Sequence, residues 1–264
     1  MLLQNRNAVV YGGGGAIGGA VARVFAREGA RVFIAGRTRA RLDAVAADIA
    51  AAGGEVETAQ VDVLDLRAVE KHADAVAAKA GGIDIAPNAA SFLHDQGTTI
   101  HGLSLDDFML PIDRFLCAQF ITTKAAVAHM GKRRPGVVLT LSTPGGNLAV
   151  GGHLGHSVSV AGIEMFSRVL AAEVAPNVRV VCIRPHAIAD APEAGSYTQA
   201  LFAPKAAAMG LSVRQWMAGA TESTLLKRLP TLEQVAETAA FLASDNANAM
   251  TATVVDLTCG VVAG

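Results

Sequence analysis

Four consecutive glycines, Gly12 to Gly15, are the residues best placed in this chain to hold a phosphate. They follow the short apolar run Ala8–Tyr11. They precede Ile17, Val21, Val24 and Phe25, which fall on one face at helical spacing. Gly29 stops that helix, and Arg31–Ala35 reads as a second buried strand. Strand, glycine turn, helix and strand together make one βαβ unit. Glycine is needed because the turn is tight and a Cβ would keep a pyrophosphate from the N–H groups at the helix start. Gly13-x-Gly15-x-x-Gly18 matches the dinucleotide fingerprint. A flexible linker is the bland alternative, and the apolar, periodic flanks speak against it.

The end of the second strand bears on which nucleotide is held. An Asp or Glu there would accept from the ribose 2′-OH of NAD. The residues are instead Gly36, Arg37 and Thr38, a neutral position followed by a cation. That pattern suits a 2′-phosphate, so NADP(H) is expected in preference to NAD(H). The alternative is that Arg37 is a solvated residue opening the next helix with Arg39 and Arg41. His153, His156 and His186 invite a metal reading, but zinc needs a third and usually a fourth placed ligand. No Cys or carboxylate lies near them in sequence, so no metal is expected.

The elements needed to position these groups fit one domain. A chain of 264 residues can bury a sizeable core as a single α/β unit. With 52% hydrophobic and 17% charged residues and a net charge of −1, it has no bulk signal for nucleic acid or an acidic membrane. The uncharged stretch between Arg134 and Glu164 carries Pro135, Pro144, Ser142, Asn147 and many glycines, which a membrane-spanning helix would not. The apolar run in MLLQNRN is too short for a secretory signal, and a cytoplasmic protein is expected. Cys117, Cys182 and Cys259 lack C-x-x-C spacing and read as reduced, buried small hydrophobes.

Leu42, Val45 and Ile49 form the stripe of a second helix ending at Gly53-Gly54, and Val56–Val63 reads as a third strand. Asp65 N-caps the next helix and Gly81-Gly82 ends it. Ile83–Pro87 and Val137–Ser142 follow as strands, separated by a loop over Ser91–Ser104 and a long helix through Ile112–Met130. Ile163, Phe166 and Val169 mark a further helix, and Val178–Arg184 a sixth strand. Residues 187–230 are long and mixed, and the family resemblance given below implies a variable substrate lid there. Their apolar side chains either line a pocket for a hydrophobic substrate or pack the lid down. Thr231 and Gln234 have capping-box spacing, and Thr253–Leu257 is the seventh strand. This alternation requires a parallel, doubly wound sheet covered on both faces, a three-layer Rossmann fold.

Several stretches resemble the short-chain dehydrogenase/reductase family. Gly12-x-x-x-Ala16-Ile17-Gly18 is similar to its TGxxxGIG loop, with Tyr11 for Thr and Ala16 for the middle Gly. Gly14 and Gly15 lie inside that loop. Asp62-Val63 looks like the pair the family sets beside the adenine. Asp84 to Ser91 resembles its D-I-L-V-N-N-A-G run, which implies that Asn88 and Ala89 line the cofactor. Pro185-His186 stands where the family has a P-G pair bordering the nicotinamide amide. Phe241–Asp245 is similar to its closing F-L-A-S-D segment.

The resemblance fails at the chemistry. Thr143 matches the Ser that holds the substrate carbonyl. His156 and Val160 stand where Y-x-x-x-K is expected, and Phe115 stands at the place of a catalytic Asn. Tyr11 and Tyr197 do not fall where they could substitute. The resemblance implies a carbonyl/alcohol oxidoreductase in which Thr143 polarises the substrate. A His at 156 can act as general acid, and an imidazolium there would stabilise a developing alkoxide. Family members are often tetramers joined through the helices matching Ile112–Met130 and Gly155–Val174, so a homo-oligomer is implied. Two other readings stay open: a non-redox isomerase or lyase, and a silent NADP-binding protein or partner subunit.

Overall fold

The computed structural model describes residues 1–261. Seven strands form one parallel sheet: β1 (Asn7–Tyr11), β2 (Arg31–Gly36), β3 (Val56–Gln60), β4 (Ile85–Pro87), β5 (Gly136–Leu141), β6 (Val178–Pro185) and β7 (Thr253–Leu257). Their order is β3-β2-β1-β4-β5-β6-β7. The helices are α1 (Ala16–Arg27), α2 (Arg39–Ala51), α3 (Leu66–Ala80), α4 (Leu105–Val127), α5 (Leu154–Val174), α6 (Thr198–Ala208), α7 (Val213–Ala220) and α8 (Leu232–Ala243).

Alternation along the strands builds two cores. Ala8 and Val10 of β1 face a cluster with Val21 and Phe25 of α1, Leu42 of α2 and Ala239 of α8. Val9 and Tyr11 face the other layer, with Val69 of α3, Phe115 of α4 and Ile163 of α5. Each fully buried aliphatic side chain contributes about 1.5–3 kcal/mol. The strand order reverses between β1 and β4, and the crevice at that switch point is where open α/β sheets take ligands.

The boundaries differ from the sequence expectation in explicable ways. β3 stops at Gln60 because Asp62 turns the chain, its Oδ1 accepting from Leu64 N at 3.0 Å. β4 begins at Ile85, and α5 begins at Leu154, one residue before Gly155. Asp65 caps α3 by accepting from Ala68 N, and Gly81 ends it in the left-handed region. Thr231 and Gln234 form the capping box of α8. The stretch 187–230 is more ordered than its mixed composition indicated. It holds α6 and α7, and Leu201, Phe202, Ala206, Val213, Met217 and Leu229 form their own small core. Those apolar residues therefore pack against one another within the lid. Cys117 is exposed, against expectation, while Cys182 is buried. Among the described residues no helix is long and apolar enough to cross a membrane.

Candidate active site

The glycine turn lies directly after β1, at the switch point. Gly12 has φ +77°, and a Cβ there would sit 2.6 Å from the Ala89 carbonyl carbon. A Cβ on Gly18 would sit 2.3 Å from Gly12 O, so the first turn of α1 presses on the loop. Gly12 and Gly18 thus admit no side chain, and a Cβ on Gly13 would meet Ile34 Cβ at 2.7 Å. Gly15 is the N-cap of α1 with no side-chain cap, and the first turn of the helix has no acidic residue. Among the described residues the N–H groups of Ala16, Ile17 and Gly18 have no protein acceptor, which leaves an electropositive helix end open to an anion.

Gly12, Gly14 and Gly15 share one cleft with Arg37, Thr38, Arg41, Val63, Ala89 and Phe92. Arg37 is exposed, its guanidinium 5.7 Å from the centre of the Phe92 ring, and it has no carboxylate partner among the described residues. Arg41 points its Nη1 at Gly195 O across the cleft, at 3.3 Å. Asn88 is fixed from both sides: its Nδ2 donates to Thr122 Oγ1 at 2.9 Å and its Oδ1 accepts from Ala90 N at 3.0 Å. Asp62 is exposed, with its carboxylate engaged in the turn to Leu64. Pro185 closes β6, and the His186 ring is half-buried, Nδ1 accepting from Ala187 N at 2.6 Å. These residues fit a dinucleotide: a glycine turn that tolerates no Cβ, open amides at a helix start and unpaired cations along one wall.

Thr143 and His156 meet. Thr143 follows β5 and leads into a short 3-10 turn, and His156 lies in the first turn of α5. Thr143 Oγ1 and His156 Nε2 are 2.9 Å apart. The other ring nitrogen, Nδ1, is buried without a partner. Burial, followed by the nearby charges of His94, His153 and Lys205, pushes the His156 pKa down from 6.5 to about 3. The imidazole is therefore neutral at ordinary pH. This corrects the expectation of an imidazolium: the site holds a Thr–imidazole pair, not a resting cation.

A buried network steadies this pair from below. Ser142 donates to Glu164 Oε1 at 2.8 Å. Arg184 reaches the same carboxylate through Nε at 2.8 Å and Nη2 at 2.7 Å, and Asp256 through Nη1. The strand end carrying Thr143 and the helix carrying His156 are thereby tied together. Val160 is buried in the core and cannot supply the charge of a lysine. Phe115 is core, edge-on to Phe92, as its apolar stripe indicated.

Sequence reasoning missed several neighbours. His94, from the loop after β4, stacks on His156 with ring centres 4.8 Å apart and planes 10° apart. Its Nδ1 lies 2.8 Å from Phe92 O and its Nε2 lies 3.1 Å from Gln96 Nε2, so the ring is fixed as the neutral Nδ1–H form. Tyr197 reaches the cluster from the lid, 5.9 Å from the His94 ring, and burial raises its phenol to about 12. Position along the chain gave no hint of this. His153 lies 6.4 Å from His156. Among the described residues no group of three or more His, Cys, Asp or Glu side chains could hold a metal.

A parallel sheet in this order with a glycine turn at its switch point, and a Thr–His pair between the end of β5 and the start of α5, make a Rossmann-type fold. The sequence model of the family described as Enoyl-(Acyl carrier protein) reductase matches residues 14–262. The chain belongs to the short-chain dehydrogenase/reductase family of oxidoreductases. It is 31% identical over 251 residues to a 3-oxoacyl-[acyl-carrier-protein] reductase, FabG, of Chlamydia pneumoniae, covering 95% of this chain and 94% of that protein. It is 30% identical to the uncharacterized oxidoreductase YxbG of Bacillus subtilis (strain 168), over 99% of this chain and 92% of that one. The crystal structure of a putative short-chain dehydrogenase/reductase from Burkholderia xenovorans superposes with a TM-score of 0.83 at 26% identity, covering 98% of this chain and 97% of that chain.

Proposed function

We propose that this protein is an NADP(H)-dependent oxidoreductase that interconverts a carbonyl and an alcohol through the Thr143–His156 pair. The observation that carries the reading is the 2.9 Å contact between Thr143 Oγ1, just after β5, and His156 Nε2 in the first turn of α5. The open amides of α1 would receive the pyrophosphate, and Arg37, with Arg41 beside it, a 2′-phosphate. When bound, the nicotinamide supplies or accepts the hydride.

The chain's own part is to orient the substrate oxygen and move its proton. With the proton on His156 Nδ1, Nε2 accepts the Thr143 hydroxyl proton as Thr143 takes the proton of an alcohol; the reverse order protonates a carbonyl oxygen. Charging His156 is costly here. At pH 7 a pKa of about 3 corresponds to about 5 kcal/mol. Any bound negative charge reduces that cost.

Turnover of NADPH and NADH on a panel of ketones, aldehydes and oxo acids tests the reading. Thr143→Val and His156→Phe are each expected to lower kcat/KM by about 10²-fold or more. Unchanged turnover in both variants would refute the assignment. The buried Val160 and the core role of Phe115 favour a second reading, a protein that binds NADP(H) without turnover. It requires binding with no hydride transfer on any member of the panel.

The protein is also proposed to be a homo-oligomer through α4 and α5. Phe120 of α4 and Met165 and Val169 of α5 are each more than half exposed, on two helices that pack together. Light scattering is expected to give a dimer or tetramer, and Met165→Asp a smaller species.

A further inference from the structure

We propose that Lys205 of the lid, lying along the loop that carries His94, is a receptor for the carboxylate of an organic-acid substrate. The protein's oxidoreductase substrate would then be a small oxo or hydroxy acid. This inference rests on the carbonyl/alcohol reading of the same site.

Geometry places Lys205 there. A Cβ on Gly97 would lie 3.4 Å from Lys205 Cε and 4.0 Å from Nζ, so the lysine lies along the loop after β4. Gly97 N donates to Gly152 O at 2.7 Å, and Gly152 is the neighbour of His153. The lysine thus rests on the backbone junction that leads into α5 and His156. Its charge is felt at all three imidazoles, those of His94, His153 and His156, and disfavours protonation of each.

The electrostatics there are unbalanced. Lys205 is half-buried, and burial lowers its own pKa. Among the described residues no carboxylate lies within 4.0 Å of its ammonium. Asp95 is the carboxylate whose charge reaches it, and that group is already bonded to Thr98 N and Thr98 Oγ1. His156 Nδ1 has no partner among the described residues. A half-buried ammonium with no carboxylate within 4.0 Å gains from a ligand that supplies the negative charge. A carboxylate does so, and it also offsets the Lys205 charge, the smallest contribution, after burial, to the low His156 pKa. Binding of the acid and readiness of the Thr143–His156 pair are then coupled.

Trp216 provides a direct reporter. It is the single tryptophan of the chain, and Lys205 Nζ lies 5.9 Å from its ring centre. The probes are 2-hydroxybutyrate, its methyl ester and inorganic pyrophosphate, titrated at low ionic strength without cofactor while Trp216 fluorescence is followed. A saturable response to the acid and none to the ester is expected. Lys205→Met should weaken binding of the acid at least tenfold, with Lys205→Arg largely retaining it. Equal response to acid and ester, unchanged binding in Lys205→Met, or a response to pyrophosphate alone would each overturn the proposal; the last would assign Lys205 to the cofactor. Nicotinamide binding is titrated separately. Acid binding without nicotinamide binding would sink the oxidoreductase reading and leave this receptor standing. NADPH turnover on neutral ketones without acid binding would do the reverse.

Discussion

His156 is neutral because it is buried, and that makes stability depend on pH in a calculable way. In the unfolded chain the imidazole titrates near 6.5, and in the folded protein near 3. Between those values the unfolded state binds a proton that the folded state does not. Stability from this group is therefore complete above about pH 6.5 and is lost as pH falls through the window, by about 1.4 kcal/mol per unit. From pH 6.5 to 4.5 the loss from this one residue is about 2.5 kcal/mol. His94, His153, His72 and His186 shift in the same direction, chiefly through burial, so the whole protein should lose more. The contribution of His156 is isolated by difference. Urea unfolding of the wild type and of His156→Gln at pH 7.0, 6.0, 5.0 and 4.5 should give curves that converge on the acid side, the variant losing about 2.5 kcal/mol less over the range. Parallel curves would refute a neutral, buried His156.

Other consequences follow from single contacts. Gly18→Ala places a Cβ 2.3 Å from Gly12 O, and NADPH affinity by calorimetry should fall at least tenfold. Arg37→Glu should weaken NADPH far more than NADH, because it repels a 2′-phosphate while offering an acceptor to a 2′-hydroxyl. Arg184→Met leaves the buried Glu164 carboxylate with Ser142 and the more distant Arg168, 3.9 Å away, as partners. Urea unfolding should show a loss of about 3–5 kcal/mol.

Much of this site was readable because the backbone dictated it. Gly12 and Gly18 leave no room for side chains, and Thr143 and His156 fall at fixed distances from a strand end and a helix start. The close approach of Gly18 to Gly12, which both glycine patterns share, is a contact that no spacing reveals. His156 was visible as a residue, but its charge state was not. Desolvation depends on what packs around it, and the stacked His94 comes from a different loop. Tyr197 and Lys205 were hidden for the same reason, since the fold of the lid decides where they land. The small core of α6 and α7 was obscured by a composition rich in alanine, although Ser212 and Gln215 form a capping box that sequence spacing could have found.

Hydride transfer itself is the most direct test. Stereospecifically deuterated NADPH, incubated with the protein and a panel of 2-oxo acids and neutral ketones, would be followed by mass spectrometry of the products. The expected result is a hydroxy acid carrying one deuterium on the carbinol carbon, with the yield per enzyme collapsing in Thr143→Val. Tight NADPH binding with no label in any product would contradict the oxidoreductase assignment and leave a silent nucleotide-binding protein.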